Sequence, residues 1–288
     1  MTSPSPSSVD QPYTTSQASH ASSLCTSHWQ NGTTLTSLPP SLIPPTIAAA
    51  YTAQSHITSL SSHPLWGWKI AATSIHGQKH INVDRPLAGR ILRERVTPYG
   101  SPVPLGANRM LVAELEFVFR MGETLEPRDG GEGEGKGEGG YRQEEVMEAV
   151  DGLWLGSEIP DSRFEGFVTV GAEQLIADNA CADRFVLGPE VTVAWRDVDL
   201  AEHAVKGWVV DENGEVGEVR EGKGGNVLED PRIAMTWIAN ELSRYGVPLE
   251  KGQYVTTGTC IVPLTIKPGV RAVLDYGGLG RMELEFAA

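Results

Sequence analysis

The sequence is poor in basic residues, in cysteine and in long hydrophobic runs. Its 288 residues include 23 lysines and arginines against 37 aspartates and glutamates, a formal net charge of −14. Nucleic-acid binding needs a basic surface, so this balance argues against a nucleic-acid partner. No apolar run approaches the roughly 18–20 residues of a membrane span. The 3 cysteines lie far apart without a CxxC pair, which argues against disulfides and a cysteine zinc site and favours a reducing, cytoplasmic location.

The composition divides the chain into two parts. Residues 1–37 are rich in Ser, Thr and Pro and poor in large aliphatic residues, which predicts a disordered segment. Residues 38–288 have the composition of a packed domain, and their length suits one large domain. Within it, the glycine–glutamate run at about 129–140 is predicted to be a flexible, solvated insertion, and the wider stretch 121–151 around it carries about half of the net negative charge.

The hydrophobic pattern indicates many strands and a few helices. The run LVAELEFVF at 111–119 alternates strictly and predicts one strand. Helices are predicted to begin at Thr46, at Glu144 and at Pro231, the last ending at Gly246, while the second gives way to a strand near Gly156. No regular βαβ series is present, so the fold class predicted is α+β.

Two glutamates in the alternating strand are the strongest chemical signal. Glu114 and Glu116 are two residues apart, and this spacing puts both side chains on one face of a strand. If that face meets water, the pair is an ordinary solvated surface. If it is buried, two like charges need a cation, and carboxylate oxygens suit Mg²⁺ or Mn²⁺. Glu158 is the best third ligand, although the pattern alone does not separate it from Asp161 or Asp178.

A series of short motifs, in one order along the chain, is similar to a known family. The motifs are Gly67-Trp68-Lys69-Ile70, Val83-Asp84-Arg85-Pro86-x-x-Gly89, Glu114-x-Glu116, Glu158-Ile159-x-Asp161-Ser162-Arg163, Ala177-Asp178-Asn179-Ala180, Thr257-Gly258-Thr259 and Gly277-Gly278-Leu279-Gly280. They resemble the 2-keto-4-pentenoate hydratase (2-hydroxypentadienoate hydratase) family of the fumarylacetoacetate hydrolase superfamily. The resemblance runs from about Leu38 to the C-terminus, with the glycine–glutamate run as an insertion.

The resemblance implies a fold and a metal site. The fold expected is a mixed β-sandwich roll of the fumarylacetoacetate hydrolase C-terminal type with a few flanking helices. The metal expected is Mg²⁺ or Mn²⁺, held by the carboxylates of Glu114, Glu116 and Glu158. The partners implied are a small 2-oxo acid as substrate and further copies of the chain in a homo-oligomer.

The resemblance also implies roles for residues around the ion. Lys69 matches the family's lysine, which holds the substrate carboxylate or polarises its enol. Thr257 and Gly258 match a turn that faces the substrate, although a plain β-turn is the simpler explanation of the same residues. Asp178 is expected to bind substrate or to hold the fold near the site.

One departure from the family pattern concerns the proton-transfer group. Many hydratases of this family carry Asp-Pro-Asp after the lysine, but here the second aspartate is replaced by Leu87. Asp84 and His80 are the candidates to take its place, with Lys69 as a third base. The absence of this aspartate affects the prediction of hydratase activity more than the prediction of metal binding.

The function expected is that of a metal-dependent lyase. It would hydrate a small unsaturated 2-oxo or 2-hydroxydienoic acid to a 4-hydroxy-2-oxo acid through an enolate. The alternative is decarboxylation of a 2-oxo-3-enedioate, the reaction of 4-oxalocrotonate, because that reaction uses the same enolate and no added water. A hydrolase of carbon–carbon bonds and a non-catalytic relative are further alternatives.

Overall fold

The computed structural model describes residues 12–128 and 139–287, so the predicted insertion at about 129–140 falls almost wholly outside the described residues. Within those ranges the α-helices are α1 Thr15–Asn31, α2 Ile47–Ser55, α3 Ile75–His80, α4 Gln143–Glu148, α5 Ala172–Ala177 and α6 Pro231–Arg244. The strands are β1 Gly67–Ala71, β2 Leu87–Ile91, β3 Val96–Thr97, β4 Val112–Ala113, β5 Glu116–Met121, β6 Val150–Ile159, β7 Arg184–Glu190, β8 Ala204–Val210, β9 Arg220–Lys223, β10 Tyr254–Thr259, β11 Leu264–Thr265, β12 Arg271–Asp275 and β13 Arg281–Glu285.

The strands form one large sheet and two smaller ones. The large sheet has seven strands in the order β2-β1-β10-β5-β6-β7-β3, and it mixes parallel with antiparallel pairs. A four-stranded sheet has the order β13-β12-β8-β9, and β4 pairs with β11 separately. The predicted α+β class is confirmed as a mixed fold of helices and sheets. None of the helices in the described ranges is both long enough and apolar enough to cross a bilayer.

The strand predicted at 111–119 is interrupted. Ala113 in β4 pairs with Leu264, whereas Glu116 in β5 pairs with Gly156 of β6 and Thr259 of β10, so the chain changes sheets between them. The prediction of one continuous strand is therefore wrong. Alternating hydrophobicity reports which face is buried and carries no information about which strand lies alongside.

Two predicted helices are confirmed and a third is shorter than expected. Thr46 caps α2 by accepting a hydrogen bond from Ala49 N, and Asp230 caps α6. The helix predicted from Glu144 through Leu153 ends at Glu148 in the structure, and the strand β6 already begins at Val150. A continuous apolar run suits a buried strand as well as a helix, which explains the error.

The segment predicted to be disordered contains a helix. Helix α1 is capped by Thr14, whose side chain forms a capping box with Gln17, and it buries Ala18, Ala21 and Cys25 in a small hydrophobic cluster. For residues 15–31 the prediction of disorder is thus wrong. The helix buries small side chains, so a composition poor in large aliphatic residues hid it, but the capping box was a readable signal.

Candidate active site

Three glutamate carboxylates meet between β4, β5 and β6. One oxygen from each of Glu114, Glu116 and Glu158 lies within 4.8 Å of the others, with Glu116 and Glu158 buried and Glu114 half-buried. The break between β4 and β5 places Glu114 beside β6, where its backbone N–H donates to Glu158 O at 2.9 Å. The structure therefore brings together the three residues that the sequence singled out for a metal.

Strand β10 supplies two hydrogen bonds to Glu116. The Thr256 hydroxyl and the Gly258 N–H both donate to Glu116 Oε2, the N–H at 2.8 Å. Gly258 has φ +107°, and a Cβ there would lie 2.2 Å from the Thr73 hydroxyl, so this turn requires glycine. The Thr257 hydroxyl instead donates to Phe117 O at 3.0 Å. Thr256 thus orients Glu116, a contact that the sequence analysis missed because it assigned the adjacent threonine.

Tyr276 joins the two strands that carry the buried glutamates. Its hydroxyl lies between β5 and β6, 3.0 Å from Glu116 O and 2.7 Å from Gly156 O, and it also accepts from the backbone N–H of Glu116 at 3.2 Å. Tyr276 comes immediately before the predicted Gly277–Gly280 motif. The motif therefore marks a turn that positions this tyrosine, which no sequence motif indicated.

Three buried oxygens of the carboxylate cluster lack a hydrogen-bond partner among the described residues, namely Glu116 Oε1 and both oxygens of Glu158. Of these, Glu158 Oε1 forms an ion pair with Lys69 at 3.1 Å. Burial raises the pKa of Glu116 well above its ordinary value, and the charges of Glu158 and Glu114 raise it further. Burial also raises the pKa of Glu158 to about 8, against the opposing effect of Lys69. A divalent cation would satisfy these oxygens and relieve the repulsion, so the donor set fits a hard metal ion.

Lys69 lies buried at the edge of the cluster. Its Nζ is 3.1 Å from Glu158 Oε1 and donates to Ala180 O at 3.0 Å. Burial lowers the pKa of Lys69, but the carboxylates of Glu158 and Glu114 outweigh that effect and leave the pKa raised. Lys69 is therefore a fixed cation at neutral pH, suited to holding an anion rather than to accepting a proton.

A strained turn presents the carbonyl that binds Lys69. The residues Asn179, Ala180 and Cys181 have φ values of +62°, +51° and +61°, which is the left-handed conformation. For residues other than glycine this conformation costs of order 1–3 kcal/mol each. Both ends of the Asn179 amide hold this turn, because Oδ1 accepts from Arg90 N at 2.7 Å and Nδ2 donates to Arg90 O at 2.8 Å. The strain is thus concentrated at the contact with Lys69.

Asp178 lies in a separate buried network behind this turn. Its carboxylate accepts hydrogen bonds from the guanidinium of Arg163 and from the Ser162 hydroxyl, the latter at 2.7 Å. Burial raises the pKa of Asp178, and Arg163 acts against that rise. These contacts fit the fold-holding alternative for Asp178.

The proposed proton-transfer residues lie on an exposed segment. The Asp84 side chain is 75% exposed and pairs with Arg85 at 2.9 Å, and this hydrogen bond lowers the pKa of Asp84. His80 ends α3, and its ring contacts the edge of Phe167. Leu87, at the position of the missing aspartate, is fully buried in β2. The contacts found for Asp84 and His80 within residues 12–128 and 139–287 therefore do not include the carboxylate cluster.

Comparison with known proteins supports the resemblance seen in the motifs. No family model matches the chain. It is 28% identical over 220 residues to a 2-keto-4-pentenoate hydratase of Paraburkholderia xenovorans, covering 76% of this chain and 75% of that protein. It is also 28% identical over 244 residues to a 4-oxalocrotonate decarboxylase of Pseudomonas putida, covering 84% and 86%.

The fold has a counterpart among solved structures. The 4-oxalocrotonate decarboxylase from Pseudomonas putida G7, complexed with magnesium and adipate, superimposes with a TM-score of 0.81 at 24% identity, over 96% of this chain and 100% of that one. The same decarboxylase complexed with calcium and acetate gives a TM-score of 0.80 at 23% identity. The resemblance predicted from the motifs is therefore confirmed in sequence and in fold.

Proposed function

The chain is a relative of the 2-keto-4-pentenoate hydratases and the 4-oxalocrotonate decarboxylases, and from this relationship we propose that it is a divalent-metal-dependent lyase. Its substrate is a small unsaturated 2-hydroxydienoic or 2-oxo acid, which it hydrates to a 4-hydroxy-2-oxo acid. The observation that carries the proposal is the convergence of Glu114, Glu116 and Glu158, with unpartnered buried oxygens, beside the fixed cation of Lys69.

The carboxylates of Glu114, Glu116 and Glu158 hold the ion, Mg²⁺ or Mn²⁺. When bound, the ion supplies Lewis-acid stabilisation to an enolate oxygen. Thr256 and Gly258 donate to one oxygen of Glu116, so its other oxygen would remain available to the ion. The support for a hard cation is the set of carboxylate oxygens itself, since such ligands suit Mg²⁺ and Mn²⁺ better than softer metals.

Lys69 holds the negative end of the substrate. Its Nζ has three N–H donors, of which one is directed to Ala180 O and another faces Glu158, so a third is available to a substrate carboxylate or enolate. Because both partners are buried, the ammonium group is positioned before the substrate arrives, and no reorganisation is needed as charge develops. Thr257 and Gly258 are proposed to face the substrate, while Asp178 holds the turn behind Lys69 through its contacts with Arg163 and Ser162.

Proton transfer requires a group that both accepts and returns a proton. Removal of the enol proton and protonation at the far end of the diene give an unsaturated 2-oxo acid, to which water then adds. We assign this role to Asp84 or His80, which lie on the exposed segment between β1 and β2. A movement of that segment towards Lys69 would be required for either residue to reach the substrate.

One observation favours the decarboxylase as the second candidate. Leu87 puts a buried apolar side chain where many hydratases carry an aspartate, and loss of CO₂ from a 2-oxo-3-enedioate needs no activated water. The same cation and the same lysine would stabilise the enolate that forms. The two candidate reactions therefore differ in two respects: only the decarboxylase substrate has a second carboxylate, and only the hydratase adds water to its substrate.

A substrate panel separates the candidates. The protein is incubated with 2-hydroxypenta-2,4-dienoate and with 2-oxohex-3-enedioate, each with Mg²⁺ or with EDTA, and diene absorbance and CO₂ are followed. Mg²⁺-dependent consumption of the first substrate supports the hydratase, whereas CO₂ from the second alone supports the decarboxylase. Glu116→Gln should abolish either activity, and Glu126→Gln, on the exposed surface, should leave it intact. Turnover that survives EDTA or Glu116→Gln would refute both.

We further propose an architecture for the whole protein. Residues 38–288 form one catalytic domain in which the seven-stranded and four-stranded sheets make a mixed β-sandwich roll, and the chains assemble into a homo-oligomer. The support for the domain is that the similarity to the decarboxylase covers 84% of the chain and that the main hydrophobic core runs from Ala50 to Phe286.

A further inference from the structure

We propose that a cavity between α2, α6 and the antiparallel pair of β1 and β2 binds a small aromatic carboxylate through the guanidinium of Arg90. The cavity has a volume of about 330 Å³, within the size range of small-molecule sites. Its floor is formed by Trp68 and Arg90, and its walls by Tyr51 and Thr52 of α2 and by Leu242 and Tyr245 at the end of α6.

Within residues 12–128 and 139–287, Arg90 is a buried cation without an acidic partner. It is 6% exposed, its Nη1 donates to the Gln54 amide oxygen, and its guanidinium lies 4.7 Å from the centre of the Trp68 ring. Desolvation lowers the pKa of Arg90 to about 10. The buried cations Lys69 and Arg163 are both paired with carboxylates, so Arg90 differs from them among the described residues. A buried charge is costly unless it is paired, and an entering anion would supply the pair.

The cavity is separate from the carboxylate cluster. Trp68 and Arg90 lie opposite each other in the β1–β2 pair, as do Lys69 and Gly89 one position further along. Because successive side chains of a strand point to opposite faces, Trp68 and Arg90 lie on the other side of the sheet from Lys69. Binding there therefore does not depend on the metal or on the proposed activity.

The lining selects an aromatic monocarboxylate. A guanidinium offers a planar fork of donors that matches a carboxylate, while the rings of Trp68, Tyr51 and Tyr245 provide faces for an apolar body. The acidic side chain beside the cavity is Glu241, which is next to Tyr51 and is paired with Arg244 at 3.3 Å. Arg85 also acts on Glu241 and lowers its pKa, although burial raises it overall. The balance of charge at the cavity floor therefore stays positive.

Calorimetric titration of the full-length, EDTA-treated protein with benzoate, and with the neutral benzamide as comparison, tests the proposal. Saturable binding of benzoate with at least tenfold preference over benzamide is expected, since hydrogen bonds to a charged group account for that order of discrimination. Binding should be the same with Mg²⁺ and in Glu116→Gln. Binding that appears only with Mg²⁺, or that disappears in Glu116→Gln, would assign benzoate to the carboxylate site and overturn the proposal, as would no binding.

Two variants locate the site. Arg90→Gln should weaken benzoate binding about tenfold or more by removing the charge. Thr52→Trp should block the cavity from the exposed side of α2 while keeping Arg90, so it remains informative if Arg90→Gln folds poorly. Arg93→Gln, which removes an exposed arginine outside the cavity lining, is the matched control and should bind as the wild type does. Unchanged affinity in Arg90→Gln or in Thr52→Trp would refute the site.

Discussion

The metal-free protein should lose stability as the pH rises through neutrality. The pKa of Glu158 is raised from 4.5 to about 8 by burial, so the folded state binds a proton that the unfolded state releases. When folding raises the pKa of an acid, the folded state is most stable at pH values below the pKa of the unfolded state. Its stability then falls as the pH rises to the pKa of the folded state. Between pH 5 and pH 8 this single group lowers the free energy of unfolding by about 3 to 4 kcal/mol. Glu116, raised in the same direction by burial, adds to the loss.

Other described groups do not reverse that trend. Carboxylates with lowered pKa values, such as Glu145 beside Arg142 and Arg128, stabilise the folded state throughout this pH range and lose that effect only in more acidic solution. The pKa of Lys69 is raised, and its stabilising effect is fully present throughout the window. Bound Mg²⁺ requires ionised carboxylates, so its stabilising effect should grow from pH 5 to pH 8.

Urea unfolding at several pH values, in EDTA and in Mg²⁺, measures both effects. In EDTA the free energy of unfolding should decrease from pH 5 to pH 8, and in Mg²⁺ the decrease should be smaller or absent. Glu158→Gln should make the profile in EDTA less steep, while Glu123→Gln at the surface should leave it unchanged. A metal-free protein that is equally stable or more stable at pH 8 than at pH 5 would refute the reasoning about the buried carboxylates.

Three substitutions test individual contacts of the site. Thr256→Val removes a hydroxyl that donates to Glu116 and should weaken Mn²⁺ binding about 10- to 100-fold, the usual cost of losing a contact that orients a ligand. Thr257→Val is the control and should weaken Mn²⁺ binding less. Equal losses of Mn²⁺ affinity in the two variants would contradict the assignment of Thr256. Lys69→Met should reduce kcat by a factor of about 10²–10³ and strengthen Mn²⁺ binding by removing a competing positive charge, so weaker binding would count against it. Asn179→Ala frees the strained turn and should lower kcat while leaving Mn²⁺ affinity unchanged, and an unaffected kcat would show that the turn does not position Lys69.

The carboxylate cluster could be predicted from the sequence because it depends on local spacing and on the order of the motifs. The spacing of Glu114 and Glu116 indicated a shared face, and the order of motifs selected Glu158 from several acids. Alternation could not reveal that the chain changes sheets between the two glutamates. That change depends on pairing with β10 and β11, more than 130 residues away in the sequence.

The contacts that complete the site were beyond sequence reasoning. Thr256 and Thr257 are adjacent in the sequence, and only the bulge in β10 decides that the first meets Glu116. The backbone carbonyl of Ala180 has no residue-specific signal at all. Helix α1 was missed for a different reason, because its buried face consists of Ala18, Ala21 and Cys25, which composition does not distinguish from a polar linker.

Mn²⁺ titration followed by electron paramagnetic resonance tests the central claim most directly. The three converging carboxylates predict saturable binding of one Mn²⁺ per chain, displaced by Mg²⁺ and lost in Glu116→Gln. The surface variant Glu126→Gln should retain the site in full. Absence of a saturable Mn²⁺ site in the wild type, or an undiminished site in Glu116→Gln, would contradict the claim that Glu114, Glu116 and Glu158 hold the ion.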